Sequence, residues 1–161
     1  MERKQKKTMK MPMTMKKHKY FELSEFIKSD TAKKKSIDNT PTFEVVQHLD
    51  ELVEQVLDPL RAAYGQPIKV SSGYRCPELN TAVKGSATSV HMIGYAADLQ
   101  VGGSFNKFRE FTVEWFRKTG TRFDQLLLES DAKTGARWIH IGLYNNAGQQ
   151  RGQIRVMEVN R

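Results

Sequence analysis

Two segments about forty residues apart alternate with a period of two, and that period constrains them to be half-buried strands. In residues 95–101, Tyr95, Ala97, Leu99 and Val101 share one face, and Ala96, Asp98 and Gln100 share the other. In residues 138–143, Ile139, Ile141 and Leu143 share one face, and Trp138 and His140 the other. A strand that hides its aliphatic face in a core must turn the opposite face outward. Asp98 and His140 are therefore both expected on the non-core face of a sheet.

The rest of the chain supplies what packs on that sheet. Residues 20–30 carry Tyr20, Phe21, Leu23, Phe26 and Ile27 in a short amphipathic element, and 33–39 read as a loop. Thr40 is expected to cap a helix with Pro41 at its first position. Val45, Val46, Leu49, Leu52, Val53, Val56, Leu57 and Leu60 then form one helical apolar stripe. Pro59 should kink or interrupt its last turn, and Gly65 should end it. His48 on this helix reads as scaffold with no visible partner. A strand over 68–71, a turn over 73–77, a short helix over 77–83 and a polar loop over 84–89 follow. Ser104 caps a second helix with a buried stripe of Phe105, Phe108, Phe111, Thr112, Trp115 and Phe116, ended by Gly120. Strands are expected over 123–129 and 153–159, with a loop over 130–136. Helices followed by mostly antiparallel strands, with one crossover helix, give an α+β fold with its helices packed on one side of the sheet.

The net charge of +8 invites a nucleic-acid reading, but its distribution opposes it. Residues 1–19 hold eight of the 26 Lys and Arg and one of the 18 acidic residues, leaving 18 basic against 17 acidic side chains in 20–161. The chain thus divides into a basic tail, 1–19, expected to be disordered, and a nearly neutral domain, 20–161. No specific nucleic-acid partner is expected, since no recognition motif is visible. The tail lacks the apolar run of a signal peptide. A solubilising extension, with a misassigned start among the Met-rich residues, is favoured over an electrostatic arm toward an anionic polymer. No apolar run is long enough for a membrane span. A monomer is expected. Cys76 is the single cysteine and cannot form an internal disulfide. A nucleophilic role for it is set aside because the nearby histidines have a better explanation.

That explanation is a metal. His91 lies in a loop before Gly94, whose backbone freedom lets the chain turn sharply. Asp98 follows seven residues after His91, flanked on its face by Ala96 and Gln100. With His140 they make a His-Asp-His set, three ligands for one zinc ion with a fourth position left open. Spacing alone also leaves the structural alternative, an imidazole on a sheet face and an aspartate bound to backbone groups. Trp138 beside His140 suits the floor of a cleft.

The segments Ser71-Ser72-Gly73-Tyr74-Arg75, Ser89-x-His91-x-x-Gly94-x-Ala96-x-Asp98 and Trp138-x-His140 resemble, in order and separation, the zinc D-alanyl-D-alanine carboxypeptidase family, peptidase group M15, particularly its short phage and bacterial members. The resemblance covers roughly residues 43–143. It implies an α+β fold shared with the hedgehog signalling domain, and zinc bound by His91, Asp98 and His140. It assigns Arg75 to orienting the substrate and supporting the oxyanion, and Ser89 to a hydrogen bond with substrate near the metal. Trp138 would contact the substrate.

One position departs from the pattern. Many members carry an acid three residues before the last His, where this chain has Arg137. Glu129 is the first candidate for the general base, because a hairpin of 123–129 with 138–143 would bring it toward His140. Asp131, Asp124 or no acid at all are the alternatives. The resemblance implies zinc-assisted hydrolysis of peptidoglycan stem or cross-link peptides, by a carboxypeptidase or an endolysin-like endopeptidase. The alternative is a non-catalytic zinc module that binds wall peptides or a protein partner. Action on the wall without a visible signal suits a released phage lysin, a virion component or an exported protein.

Overall fold

The computed structural model describes residues 14–160. Two short helices open it, α1 (Leu23–Ile27) and α2 (Asp30–Lys34), the second occupying part of the expected 33–39 loop. Its start is set by Ser29, whose hydroxyl accepts from the Ala32 amide at 3.2 Å. Helix α3 spans Phe43–Leu52 and begins two residues later than its Thr-Pro signal suggested. The Thr40 hydroxyl is already donated to Asp38, at 2.6 Å. Thr42 caps instead, accepting from the Val45 amide at 3.2 Å.

Pro59 interrupts this helix as expected, but the consequence lies upstream of it. The chain opens into a π-helical turn, Val53–Leu57, and resumes as α4, Asp58–Tyr64, with Pro59 in its first turn. There the missing proline N–H costs no helical hydrogen bond. Gly65, at φ 74°, ends α4.

Among the described residues, five strands form one sheet in the order β1 (Lys69–Ser72), β2 (Ala96–Gln100), β4 (Arg137–Gly142), β3 (Gln125–Asp131), β5 (Gln153–Val159). Helix α5 (Pro77–Ala82) and a 3-10 turn (Val90–Ile93) lie between β1 and β2, and helix α6 (Phe105–Thr119) joins β2 to β3. The β1–β2, β2–β4 and β3–β4 pairs are antiparallel, whereas β3 and β5 run parallel. Strand β3 begins two residues later than expected; Asp124, just before it, is held in an ion pair with the partly exposed Arg151. A shift of two leaves every side chain on its expected face.

The register sorts the sheet into transverse rows. Leu99, Ile139, Leu128 and Val156 lie in one row, and Ala97, Ile141, Leu126 and Ile154 in another, all on the core face. Apart from Ile154 and Val156 at the β5 edge, these rows pack under the stripe of α3, the π turn and α4, with Phe108 and Phe116 of α6. On the opposite, polar face, Ser72, Asp98, His140, Leu127 and Arg155 fall into one row. Trp138, Glu129 and Met157 form the next.

Residues 1–13 of the expected disordered tail lie outside the described residues. Residues 14–19 rest against the helices: the Lys16 amide donates to Asp50 at 3.0 Å, and His18 Nε2 meets the same carboxylate at 2.6 Å. Among the described residues, no helix is long and apolar enough to cross a membrane.

Candidate metal centre

The polar face becomes a site where β2 and β4 meet. Asp98 and His140 are direct cross-strand partners, so the ladder itself places the carboxylate beside the imidazole. His91 reaches them from the 3-10 turn. Ser89 caps that turn, its hydroxyl accepting from the His91 amide at 3.3 Å. Gly94 ends the turn at φ 83°, and a Cβ there would stand 2.7 Å from the Val45 carbonyl oxygen, so only glycine fits.

Three donor atoms converge. His91 Nε2 is 3.1 Å from His140 Nδ1 and 3.2 Å from Asp98 Oδ1, and the last two are 3.0 Å apart. All three residues are buried. His91 Nδ1 donates to the Gly73 carbonyl at 2.7 Å, which leaves Nε2 with a lone pair. Asp98 Oδ1 also brings only lone pairs, so a single hydrogen, on His140 Nδ1, is all that can lie inside the triangle. A cation accepts all three lone pairs at once. A tetrahedral zinc with bonds of about 2.1 Å separates its donors by about 3.4 Å, so a slight widening of this triangle would fit it. The donor set therefore fits the metal expected from the sequence.

The electrostatics suit the same state. The His91 pKa is lowered, by burial first and by Arg75 and His140 with it, against the opposing pull of Asp98. Burial acts to raise the Asp98 pKa, but His91 and His140 together hold it well below the usual carboxylate range. A neutral imidazole and an ionised carboxylate are the forms that bind metal.

The segment 71–75 supports this cluster from below. The Gly73 carbonyl accepts the hydrogen bond from His91 Nδ1, and the Arg75 amide donates to the His91 carbonyl at 3.1 Å. A Cβ on Gly73 would stand 2.5 Å from the Phe26 carbonyl oxygen, which accounts for the glycine in the motif. Arg75 is buried, and its Nε, Nη1 and Nη2 donate to Asn80, Ser72 and Ser89 at 3.2, 3.3 and 3.2 Å. Ser89, expected to meet substrate, thus already serves Arg75 and the His91 turn. Asn39 pins the same segment, its amide donating to the Ile27 and Tyr74 carbonyls and its oxygen accepting from the Cys76 amide.

The three candidate carboxylates are placed very differently. Glu129 is buried on the polar face, opposite Trp138 and one row from His140, and lines the cleft at the cluster. Asp124 is buried and held by Arg151 through contacts of 2.7 and 2.9 Å. Burial acts to raise its pKa, but Arg151 lowers it below the ordinary value. Asp131 accepts from the Lys133 amide within the β3–β4 turn at 2.8 Å. Arg137 shares the face of Ile139, and its guanidinium lies 4.4 Å from the Phe105 ring and bonds Asn106 at 2.6 Å. It stands on the side of the sheet away from His140.

Trp138 lines a second cleft beside the cluster, with its indole Nε1 shielded and making no hydrogen bond among the described residues. Cys76 caps α5, its sulfur accepting from the Leu79 amide at 3.4 Å. His48, which showed no partner in the sequence, donates from Nδ1 to the Ile93 carbonyl at 2.6 Å and stacks on Tyr95, bracing the turn after His91. Neither Asn39 nor Asn80 carries a sequence signal, because each acts through contacts set by the fold.

The class that this fold and site define is an α+β protein with a buried His-Asp-His cluster on the polar face of its sheet. The family model for peptidase M15 matches residues 19–141, well over half of the chain, and the protein belongs to that family. The family is zinc-dependent, and its members are peptidases. No curated protein matches the chain.

Proposed function

We propose that the protein is a zinc metallopeptidase that hydrolyses peptide bonds in the stem or cross-link peptides of peptidoglycan. The observation that carries this reading is the triangle of His91, Asp98 and His140 donor atoms, 3.0–3.2 Å on each side, beside buried Arg75 and Glu129. Those three side chains would hold the ion. Zinc would supply Lewis-acid polarisation of a carbonyl and would lower the pKa of a water toward about 7.

The chain's own residues do the rest. Arg75 supports the scissile carbonyl oxygen through its guanidinium. Its fork is held at three points, so it enters the reaction already oriented. Glu129 removes a proton from the attacking water and delivers it to the leaving nitrogen. Of the three carboxylates weighed, it is the one that lines the cleft one row from His140, whereas Asp124 is held by Arg151 and Asp131 by the β3–β4 turn. Trp138 forms part of the floor on which the substrate lies.

The test is metal content with turnover on purified wall fragments. The expected result is one zinc per chain and hydrolysis that a chelator abolishes. His91→Ala and His140→Ala should each lose both zinc and activity, and full activity in either would overturn the ligand assignment. A metal-loaded protein that binds wall peptides without cutting them would favour the alternative, a non-catalytic zinc module. Arg137 motivates that alternative in the sequence, but its side chain points toward α6, away from the cluster.

A further inference from the structure

Two clefts meet at the His-Asp-His cluster. The larger, about 540 Å³, runs toward β5 and is lined by Ser89, Leu127, Glu129, Asn146, Arg155 and Met157. The smaller, about 370 Å³, runs toward α1 and β1 and includes Lys28, Asp30, Ser72, Tyr74, Gln100 and Trp138. Arg75 and Asp98 belong to both. Each volume alone lies in the range of about 300–1,000 Å³ in which pockets bury a whole small ligand. Neither side of the cluster is thus limited to a single terminal residue.

The sheet gives the same answer. Strands lie about 4.8 Å apart, so the polar face continues about 5 Å past Asp98 to β1 and about 10 Å past His140 to β5. An extended peptide advances about 3.3 Å per residue, so floor exists for one or two residues on one side and about three on the other. The β5 portion lies beyond residue 141, where the family match ends.

The cations are arranged for a long substrate too. An enzyme that removes a terminal residue needs a positive group beside the metal, to hold the free carboxylate one residue past the cut. Arg75 stands there, but it is the group assigned above to the scissile carbonyl oxygen, and Asn80, Ser72 and Ser89 hold it in place. Lys28 and Arg155 are exposed and lie in opposite clefts, Arg155 two strands from His140.

We propose, resting on the hydrolytic reading above, that the protein is an endopeptidase. Its substrate lies across the polar face from the β1 side to the β5 side and is cut at an internal amide. Water adds across the C–N bond, leaving a new carboxylate and a new amine. No free carboxylate is required next to the cut.

The experiment uses the zinc-loaded full chain and two synthetic wall peptides. One is a stem pentapeptide with a free carboxyl end. The other carries the same residues extended by three on the carboxyl side and amidated. Products are identified by mass. The expected result is internal cleavage of the extended amide at a rate equal to or above that of the pentapeptide. Release of one terminal residue from the free acid, with the extended amide intact, would overturn the proposal and leave the hydrolytic reading standing. No cleavage of either peptide or of wall fragments would overturn both.

A binding footprint gives a readout apart from turnover. Amide chemical shifts of the metal-free full chain, titrated with the extended amide, should move in both Lys28–Ser72 surroundings and Arg155–Met157. Shifts confined to one cleft would overturn the path across the face.

Discussion

The two halves of the polar face are held to the molecule in opposite ways. On β2 and β4, the core face beneath the ligands is sealed: Ala97, Leu99, Ile139 and Ile141 are all fully buried. On β5, the same transverse rows end in Ile154 and Val156, and Val156 is 75% exposed. The ligand half is thus clamped between helices and a packed sheet, while the outer half is an edge strand with water on both faces. Interiors packed at crystal-like density hold side chains in fixed rotamers, and edges do not. The contrast teaches a division of labour. Atoms that must meet within a few tenths of an ångström sit over the sealed half, and the surface that meets substrate of varying length sits over the open one.

The sharpest way to break this comparison is to remove the one reacting group that bridges the halves. Glu129 stands on β3, between the ligand strands and the edge. Glu129→Gln keeps the shape and removes the proton acceptor, so turnover should fall about 10²–10⁴-fold with zinc content unchanged. Zinc content and kcat on wall fragments check it. Unchanged turnover would move the base elsewhere, and lost zinc would make Glu129 part of the ligand scaffold.

Next in size is the packing contrast itself. Leu99→Ala empties a fully buried site under Asp98 and should cost about 2–5 kcal/mol. Val156→Ala, in the same row at the open end, should change stability by no more than about 0.5 kcal/mol. Urea denaturation of both variants measures the difference. Equal costs would mean that β5 is as firmly packed as the ligand strands.

How much of this was legible in the sequence follows from the range over which each feature is determined. Strand parity is local, so Asp98, His140 and Glu129 fall on the expected face even though β3 starts at Gln125 rather than Phe123. The 3-10 turn before Gly94 is local too. The helix start was misread because Thr40 and Thr42 are both competent caps, and only the bond from Thr40 to Asp38 decides between them. Nothing in the sequence marks the parallel pairing of β5 with β3, since strand direction depends on where the 144–152 connection goes. The holders of Arg75 and of the 71–75 segment were equally hidden. Asn80, Asn39 and the Gly73 carbonyl act across gaps that no periodicity reports.

Asn80 gives the next prediction, on the clamped half. It donates to the Ser86 carbonyl at 2.9 Å while accepting from Arg75, so it ties the arginine to the loop that precedes His91. Asn80→Ala removes one hydrogen bond to a charged group, worth about 1.5 kcal/mol. A loss of about tenfold in kcat/KM with zinc retained is expected. Loss of zinc as well would show that the loop, rather than Arg75, is what Asn80 holds.

The smallest effect belongs to the seam between the halves, where Asp124 precedes β3 and Arg151 precedes β5. The Asp124 side chain is buried and the Arg151 side chain is 40% exposed, so the pair is half screened by water. Burial alone would raise the Asp124 pKa, but Arg151 lowers it below its ordinary value of about 3.9 in the folded protein. A carboxylate with a lowered folded pKa contributes stability above its unfolded pKa and loses it as pH falls through the folded value. The contribution should therefore be intact above about pH 4 and fade below it. Asp124→Asn should flatten the acid limb of the stability curve in that window alone, with no change in its slope near neutrality. Thermal midpoints measured from pH 7 down to pH 2 check it. A difference in slope that first emerges near pH 6 would assign the titration to a histidine, and the seam would then have no separate role in acid stability.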